Sequence, residues 1–445
     1  MHVLHVGSLA RGRAYDYHDA QNGDGYSHRP LLRWLRTVLS IIRGAFLTAV
    51  LIFTLTYLVL AIGRLPGFRV DRTGATIIGA TLMIACNVLS IRQAYAAIDY
   101  DTIILLFGMM IVVANLRLSG FFTAVSAWVV EHAHRPILLL AAIVLVSGFF
   151  SAFFVNDTMC LVLTPLVLEI TRRLRRNPIP YLLAVAMAAN IGSVATITGN
   201  PQNMMIGSFS GIRYRTFAAA LAPVALAGLA VLTAILALIY RREFRREQPM
   251  APAHPDVSVD RGLLWKSVLV AAAMIALFFI GWPIAKTALM AGAVLLITRR
   301  VGPETVYREI DWPLLVMFIG LFIVVAGVEH TSLAEDMLAL AARFRLERTA
   351  VLSAVAAVLS NIVSNVPAVL VFKPVVEHLA DPRRGWLVLA MSSTLAGNLT
   401  VLGSVANLIV IERARREANI TFWEYAKAGV PVTVATMAIG VWLLG

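Results

Sequence analysis

The chain has 445 residues, 59% of them hydrophobic and only 14% charged, against roughly 45–50% and 25% in soluble domains. A water-soluble core cannot absorb that much apolar surface. The formal net charge of +13 is gathered in short arginine clusters beside the apolar runs, which excludes a nucleic-acid-binding face and matches the positive-inside pattern of membrane proteins.

Residues 1–28 are polar, rich in Gly, His and Asp, and are not followed closely by an apolar run with a small-residue cleavage site. They read as part of a cytoplasmic tail, residues 1–44, rather than a signal peptide. Apolar runs then occupy 45–62, 73–89, 102–118, 137–155, 217–240, 263–281, 311–328 and 430–444. Each approaches the roughly 20 residues that cross a bilayer as a helix. The stretches 120–132 and 332–344 interleave polar and apolar residues and suit interfacial helices. Arginine clusters at 29/33/36/43, 172/173/175/176, 241/242/245/246 and 413/415/416 are all expected on the cytoplasmic side. The segment 241–262, charged at its start and carrying Pro249, Pro252 and Pro255, is a cytoplasmic linker between repeats at 45–240 and 263–445. Cys86 and Cys160 both lie in apolar context, so neither a disulfide framework nor a thiolate metal site is expected, and no metal or cofactor is implied.

Laying the second half on the first exposes an internal repeat. Ile98-Asp99-Tyr100 through Ala114 matches Ile310-Asp311-Trp312 through Ala326 without a gap. Ser151, Asn156 and Pro165 fall on Ser360, Asn365 and Pro374. Thr196, Gly199 and Asn203 fall on Thr400, Gly403 and Asn407. The expected fold is an all-α polytopic membrane protein of about 11–12 segments. Counting 263–281 and 283–298 as two spans gives six per half and a parallel repeat, with Arg413, Arg415 and Arg416 outside. Treating one of the two as non-spanning, 283–298 being the shorter, gives an inverted repeat and returns that cluster to the cytoplasm. The inverted arrangement is preferred.

Four segments break the apolar pattern. Asn156-Asp157-Thr158 and Ser364-Asn365-Val366-Pro367 each follow an apolar run and precede one too short to cross alone. A hairpin that enters the membrane and turns at the Asn fits both, and such a turn must be buried in protein or line a watery cavity. The other two segments are Asn190 to Asn203, with Gly192, Ser193, Thr196, Gly199 and Asn200, and Thr394 to Asn407, with Gly397, Asn398, Thr400, Gly403 and Ser404. Gly and Pro weaken the helix there while Ser, Thr and Asn supply donors and acceptors. Unwound middles of this kind hold small polar solutes or ions. Any one of these residues could equally serve helix packing; four clusters at repeat-related positions point to a transport site, with Asn156, Asn365, Thr196 and Thr400 converging on one cavity. Asp157 is the candidate proton carrier, because a carboxylate at membrane depth costs several kcal/mol, with helix capping as the alternative role. Lys373 reads as a counter-charge or a snorkelling residue, and Glu169, Glu329, His330 and Glu377 as solvated. No G-x-x-x-x-G-K-[ST] occurs, and the apolar runs hold no catalytic constellation. The chain is therefore not expected to be an enzyme, and its energy source should be an ion gradient.

The runs Asn156-Asp157-Thr158 to Thr164-Pro165, Ala189-Asn190 to Thr196, Gly199-Asn200-Pro201-Gln202-Asn203 and Ser364-Asn365-Val366-Pro367 resemble the signatures of the ion transporter superfamily. The likeness is strongest to its arsenite-permease and plant silicon-efflux branch and covers nearly all of the chain from about residue 45. The resemblance implies an inverted-repeat fold, two re-entrant hairpins, an elevator-like motion, and a multi-pass homodimer in the cell inner membrane. Its implied substrates are arsenite, antimonite, silicic acid or organic anions, coupled to H⁺ or Na⁺. Sodium-coupled citrate and dicarboxylate members typically carry Ser-Asn-Thr at both tips, and this chain departs from that at Asp157 and Val366. The leading expectation is proton-coupled efflux of a small metalloid oxyacid. The alternatives are a Na⁺- or H⁺-coupled carboxylate carrier, a Na⁺/H⁺ antiporter or a passive channel.

Overall fold

The computed structural model describes residues 29–63, 67–133, 135–245, 259–298, 300–329 and 343–445, with side chains from residue 46 onward. Residues 1–44 form a unit of their own, separate from the unit 45–445. The start of the tail, His330, most of the 332–344 segment and the middle of the linker lie outside the described residues.

The first half comprises α1 (Arg29–Ile62), α2 (Arg72–Ala85), α3 (Ile91–Ala97), α4 (Tyr100–Leu118), α5 (Phe121–His132), α6 (Pro136–Phe153), α7 (Asn156–Arg173), α8 (Pro178–Ser193), α9 (Pro201–Ser210) and α10 (Tyr214–Ile239). A short α11 (Arg241–Phe244) opens the linker. The second half comprises α12 (Arg261–Ile280), α13 (Ile284–Leu296), α14 (Pro303–Arg308), α15 (Trp312–Glu329), α16 (Thr349–Val363), α17 (Asn365–Glu377), α18 (Pro382–Leu395), α19 (Val405–Ala414) and α20 (Phe422–Leu444). Every regular element among the described residues is thus helical, and six are long and apolar enough to cross a membrane. The aligned aspartates of the repeat are helix caps. Asp99 accepts from the Thr102 amide at the start of α4, and Asp311 accepts from the Leu314 amide, 3.0 Å, at the start of α15; such caps satisfy amides that the helix itself cannot.

The two halves exchange their short helices. α2 packs along α15 and α13 along α4. Thr76 faces Gly320 and Met83 faces Gly327, so α2 and α15 run parallel. These four helices with α12 and the part of α1 from residue 45, where Thr56 faces Gly79 of α2, form one bundle. The hairpins α6–α7 and α16–α17, the interrupted helices α8–α9 and α18–α19, and α10 and α20 form the other.

The repeats are inverted. Arg176, at the base of the first hairpin, lies 3.9 Å from Glu243 just past the end of α10. Glu377, at the base of the second hairpin, shares a surface pocket with Gly211 and Thr216 at the start of α10. A helix of 26 residues is about 39 Å long, so the hairpins open toward opposite faces. The expectation that one of 263–281 and 283–298 is non-spanning is not what produces inversion, because 263–298 forms an antiparallel pair of helices, α12 and α13. The chain turns at Gly281, in the left-handed region with φ 103°, and returns so that Arg300 pairs with Asp260 at 2.7 Å and Lys266 donates to the Ile297 carbonyl. Inversion arises because each half carries an odd number of through-going segments, five: α1 from residue 45, α2, α4, α8–α9 and α10, matched by α12, α13, α15, α18–α19 and α20. Residue 45 and the linker therefore fall on opposite faces, and the expectation that the arginines of the tail and of the linker share one side is corrected.

The 412–417 cluster shares the face of the first hairpin's base, since Tyr240 Oη donates to Glu424 Oε1 at 2.7 Å across the ends of α10 and α20. Cysteines introduced at Arg245 and Glu412 should therefore react with an impermeant maleimide from one side of the membrane, and a cysteine at Glu377 from the other. Labelling of all three from one side would contradict the inverted arrangement.

Candidate functional site

Helices α8 and α18 run inward from opposite faces and stop at Ser193 and Leu395. Helices α9 and α19 resume at Pro201 and Val405. The intervening backbone has carbonyls that no helix pairs, in an interior where water is scarce. Two buried asparagines satisfy them in the same way. Asn203 Nδ2 donates to Ser193 O and Thr196 O, both at 3.0 Å. Its repeat mate Asn407 donates to Gly397 O at 2.7 Å and Thr400 O at 3.0 Å. Asn200 and Ser404 cap the resuming helices, accepting from the Asn203 and Ala406 amides. Gly199 fits because a Cβ there would come within 2.2 Å of Ser193 O, and Gly192 because a Cβ would meet the backbone of Gly148 on α6 at 2.1 Å.

The two breaks are tied to each other. Asn190 accepts from Asn156 Nδ2 (2.9 Å) and Ser404 Oγ (3.1 Å), and donates to Asn398 Oδ1 (2.9 Å) and Asn407 Oδ1 (3.1 Å). Thr394, the repeat mate of Asn190, accepts from Asn200 Nδ2 and Gln202 Nε2, each at 3.2 Å. Each half thus contributes one polar side chain that engages the other half's resuming helix.

Both hairpin tips face one cavity of about 220 Å³. Asn156 and Asp157 reach it from the first tip, Ser364 and Asn365 from the second, Gln202 and Ser404 from the two breaks, and Arg72 and Asp311 from the other bundle. A smaller cavity of about 100 Å³ adjoins Asp157 and adds Thr158, Arg117 and Glu309, the last two paired at 2.5 Å. The tips are built differently. The first turns through Phe154 and Val155 with ordinary backbone angles, whereas the second turns on Ser364 alone, at φ 78° and ψ 161°. That conformation costs a non-glycine residue about 1–3 kcal/mol. Asn365 holds it: its amide meets Ser360 Oγ at 2.5 Å and, oriented to satisfy its nitrogen, donates to Ser393 O (3.1 Å) and Gly403 O (3.3 Å). Tyr57 Oη adds a 3.3 Å bond to Pro367 O. Neither α7 nor α17 has a side-chain cap, so their first-turn amides are the open donors at the tips.

The expected residues therefore separate by role. Asn156, Asp157, Ser364, Asn365 and Ser404 line the main cavity, and Thr158 lines its annex. Asn190, Ser193, Asn200, Asn203, Asn398 and Asn407 are buried in the network behind it, and Gly192, Gly199, Gly397 and Gly403 permit close approaches of backbone and side chain. Thr196 and Thr400 do not line the cavity: Thr196 Oγ1 donates to Ala152 O, and Thr400 Oγ1 to Asn361 Oδ1 at 3.3 Å. The expected convergence of four residues is corrected to the two asparagines at the tips. Arg72, Gln202, Arg117, Glu309 and Asp311 were not assigned to the site from sequence; Gln202 stood within the Asn-Pro-Gln-Asn run and Asp311 within the aligned repeat, while the others lie at helix ends where charge is unremarkable.

The profile of the family described as "Citrate transporter" (CitMHS) matches residues 57–396. The 46 kDa membrane protein of Mycobacterium leprae (strain TN) is 30% identical over 423 residues, covering 89% of this chain and 97% of that protein. The silicon efflux transporter LSI3 of Oryza sativa subsp. japonica is 31% identical over 453 residues, covering 85% and 93%. A putative transporter, arsB, of Dictyostelium discoideum is 26% identical over 489 residues, covering 84% and 87%. Among solved structures, the YdaH transporter of Alcanivorax borkumensis shares the fold, with a TM-score of 0.57 and 15% identity over 90% of this chain and 96% of that one.

Replacing Asn203 or Asn407 with Ala removes two donors from buried carbonyls. Each change should lower stability by about 2–4 kcal/mol, since a buried group left unpaired costs roughly 1–3 kcal/mol. A thermal melt of the detergent-solubilised protein measures it, and a loss below about 1 kcal/mol in both variants would remove the asparagines from this role.

Proposed function

Because the chain belongs to the citrate transporter family of the ion transporter superfamily, and so is a multi-pass transporter of the cell inner membrane, we propose that it exports a small metalloid oxyacid, arsenite, antimonite or silicic acid, in exchange for protons. The observation that carries this reading is the placement of Asp157 in the cavity beside donors from both hairpins. A neutral oxyacid offers oxygens to the remaining N–H of Asn156 and Gln202 and to the first-turn amides of α7 and α17, and offers hydroxyl protons to the Asp157 carboxylate and the Asn365 amide oxygen. A di- or trianion has only acceptors, and an ionised Asp157 repels it. The relatives named for silicon efflux and arsB support the substrate class.

In this reading Asp157 loads and releases the coupled proton, because carrying a charge at that depth is costly. The annex lined by Arg117, Glu309 and Asp311 is, in the same reading, its route to one face. The working parts are repeats at 45–240 and 263–445 joined by a cytoplasmic linker at 241–262, which places that face in the cytoplasm by the positive-inside rule.

Asp157→Asn should cut pH-gradient-driven flux of arsenite or silicic acid in everted vesicles by more than about tenfold. Counterflow should persist, and stability should fall by no more than about 1 kcal/mol, because Asp157 does not cap α7 and Asn keeps nearly the same shape. Flux that keeps its dependence on the pH gradient in this variant would rule Asp157 out as the carrier. Uptake of citrate in preference to the oxyacids, driven by Na⁺, would replace the substrate assignment.

A further inference from the structure

Any carrier whose site opens to one face at a time needs contacts that hold the other side shut and that can be undone. Inverted repeats supply a way to locate them: exchanging the conformations of the two halves produces the opposite-facing state. The positions at which the halves differ in this state are therefore the ones that change during the cycle.

The clearest difference lies around the two hairpins. Beside the first, the annex of about 100 Å³ separates Asp157 and Leu161 from Arg117 on α4, and Arg117 is held by Glu309 of its own bundle. The equivalent space beside the second hairpin is a cavity of about 290 Å³ lined by Phe322, Val325 and Glu329 of α15, Leu370 and Lys373 of α17, and Phe209 of α9. Here an ion pair crosses between bundles: Lys373 Nζ lies 3.1 Å from Glu329 Oε1 and 5.3 Å from the centroid of the Phe209 ring. The side chains keep only 26% and 28% of their exposure, so the pair is partly shielded from solvent. By repeat alignment Lys373 replaces Thr164 and Glu329 replaces Arg117. Thr164 Oγ1 donates to the carbonyl one turn back, Cys160 O, and forms no inter-bundle pair.

We propose that Lys373 and Glu329 form a latch that holds the second hairpin against α15 while the cavity is open to the first hairpin's face, and that the pair must separate for the site to open on the opposite side. Lys373 and Glu329 are positioning residues: neither lines the cavity that contains Asp157. Leu370 lies beneath the pair, 2% exposed, and is uncovered when the hairpin leaves α15.

The test reads conformation directly and needs no solute, so its outcome is independent of which substrate the carrier moves. In a Cys86→Ser background, Leu370→Cys serves as reporter and buried Cys160 as internal control, and the rate of modification by an impermeant maleimide is measured from the face at the second hairpin's base. Lys373→Met and Glu329→Gln should each raise the Leu370→Cys rate about fivefold or more with Cys160 unchanged, because loss of either charge dissolves the pair. The double exchange Lys373→Glu with Glu329→Lys should return the rate to within about twofold of the parent. Unchanged rates in both single variants, an exchange no slower than the singles, or a parallel rise at Cys160 would each overturn the latch.

Discussion

Backbone that leaves the helix inside an apolar layer must find partners for its amides and carbonyls, and this constraint shapes the centre of the molecule. Between α8 and α9, and again between α18 and α19, the freed carbonyls lie three residues apart, at 193 and 196 and at 397 and 400. A single carboxamide with two N–H donors bridges such a pair. Serine and threonine bring one donor, and an ionised aspartate brings none. Asparagine is thus the short side chain that closes both breaks, which accounts for its presence at 203 and 407 better than contact with solute does. The acceptor oxygen of Asn407 then remains for Asn190, so satisfying the backbone also joins the halves.

That junction explains how a re-entrant tip can be rigid without water. Asn156 is seated by Asn190, and Asn365 by Ser360, Ser393 and Gly403. The first tip rests on Asn190 of its own half, which is itself bonded to Asn398, Ser404 and Asn407 of the other, whereas the second is anchored wholly within its own half and holds a strained Ser364. Exchange of α2 and α13 between halves gives the surrounding bundle a comparable mutual dependence. A helix of 13 or 14 residues reaches only about 20 Å, less than the hydrocarbon thickness, and is supported by lying parallel to a longer helix of the other repeat.

Much of this was legible in the sequence because polar residues within apolar runs are costly and therefore informative. The two hairpins and the two interrupted helices follow from that rule, and the aligned Asp99 and Asp311 from the internal repeat. The number of passes through 263–298 did not, because length alone cannot separate a short crossing from a buried turn; the Arg300–Asp260 pair that closes the helical pair depends on residues 40 apart. Division of labour among the polar residues was also hidden. Thr196 and Thr400 have the composition of ligands, yet their hydroxyls are consumed by neighbouring groups in the fold. Arg72 and Asp311 enter the cavity from the partner bundle, and their side chains meet Asp157 only through tertiary packing.

Where the halves agree they build the scaffold, and where they disagree they place charge. Asp157 corresponds to Val366, Lys373 to Thr164, Glu329 to Arg117 and Glu309 to Ala97. The first hairpin carries a carboxylate near a guanidinium of α4, and the second carries an ammonium near a carboxylate of α15. A perfectly symmetric pair of hairpins would present like environments to both faces and give a coupled ion no reason to load on one side and leave on the other. Opposite charges on opposite hairpins make the two ends of a single motion electrostatically distinct, the condition for a bound proton to favour one direction of movement over its reverse.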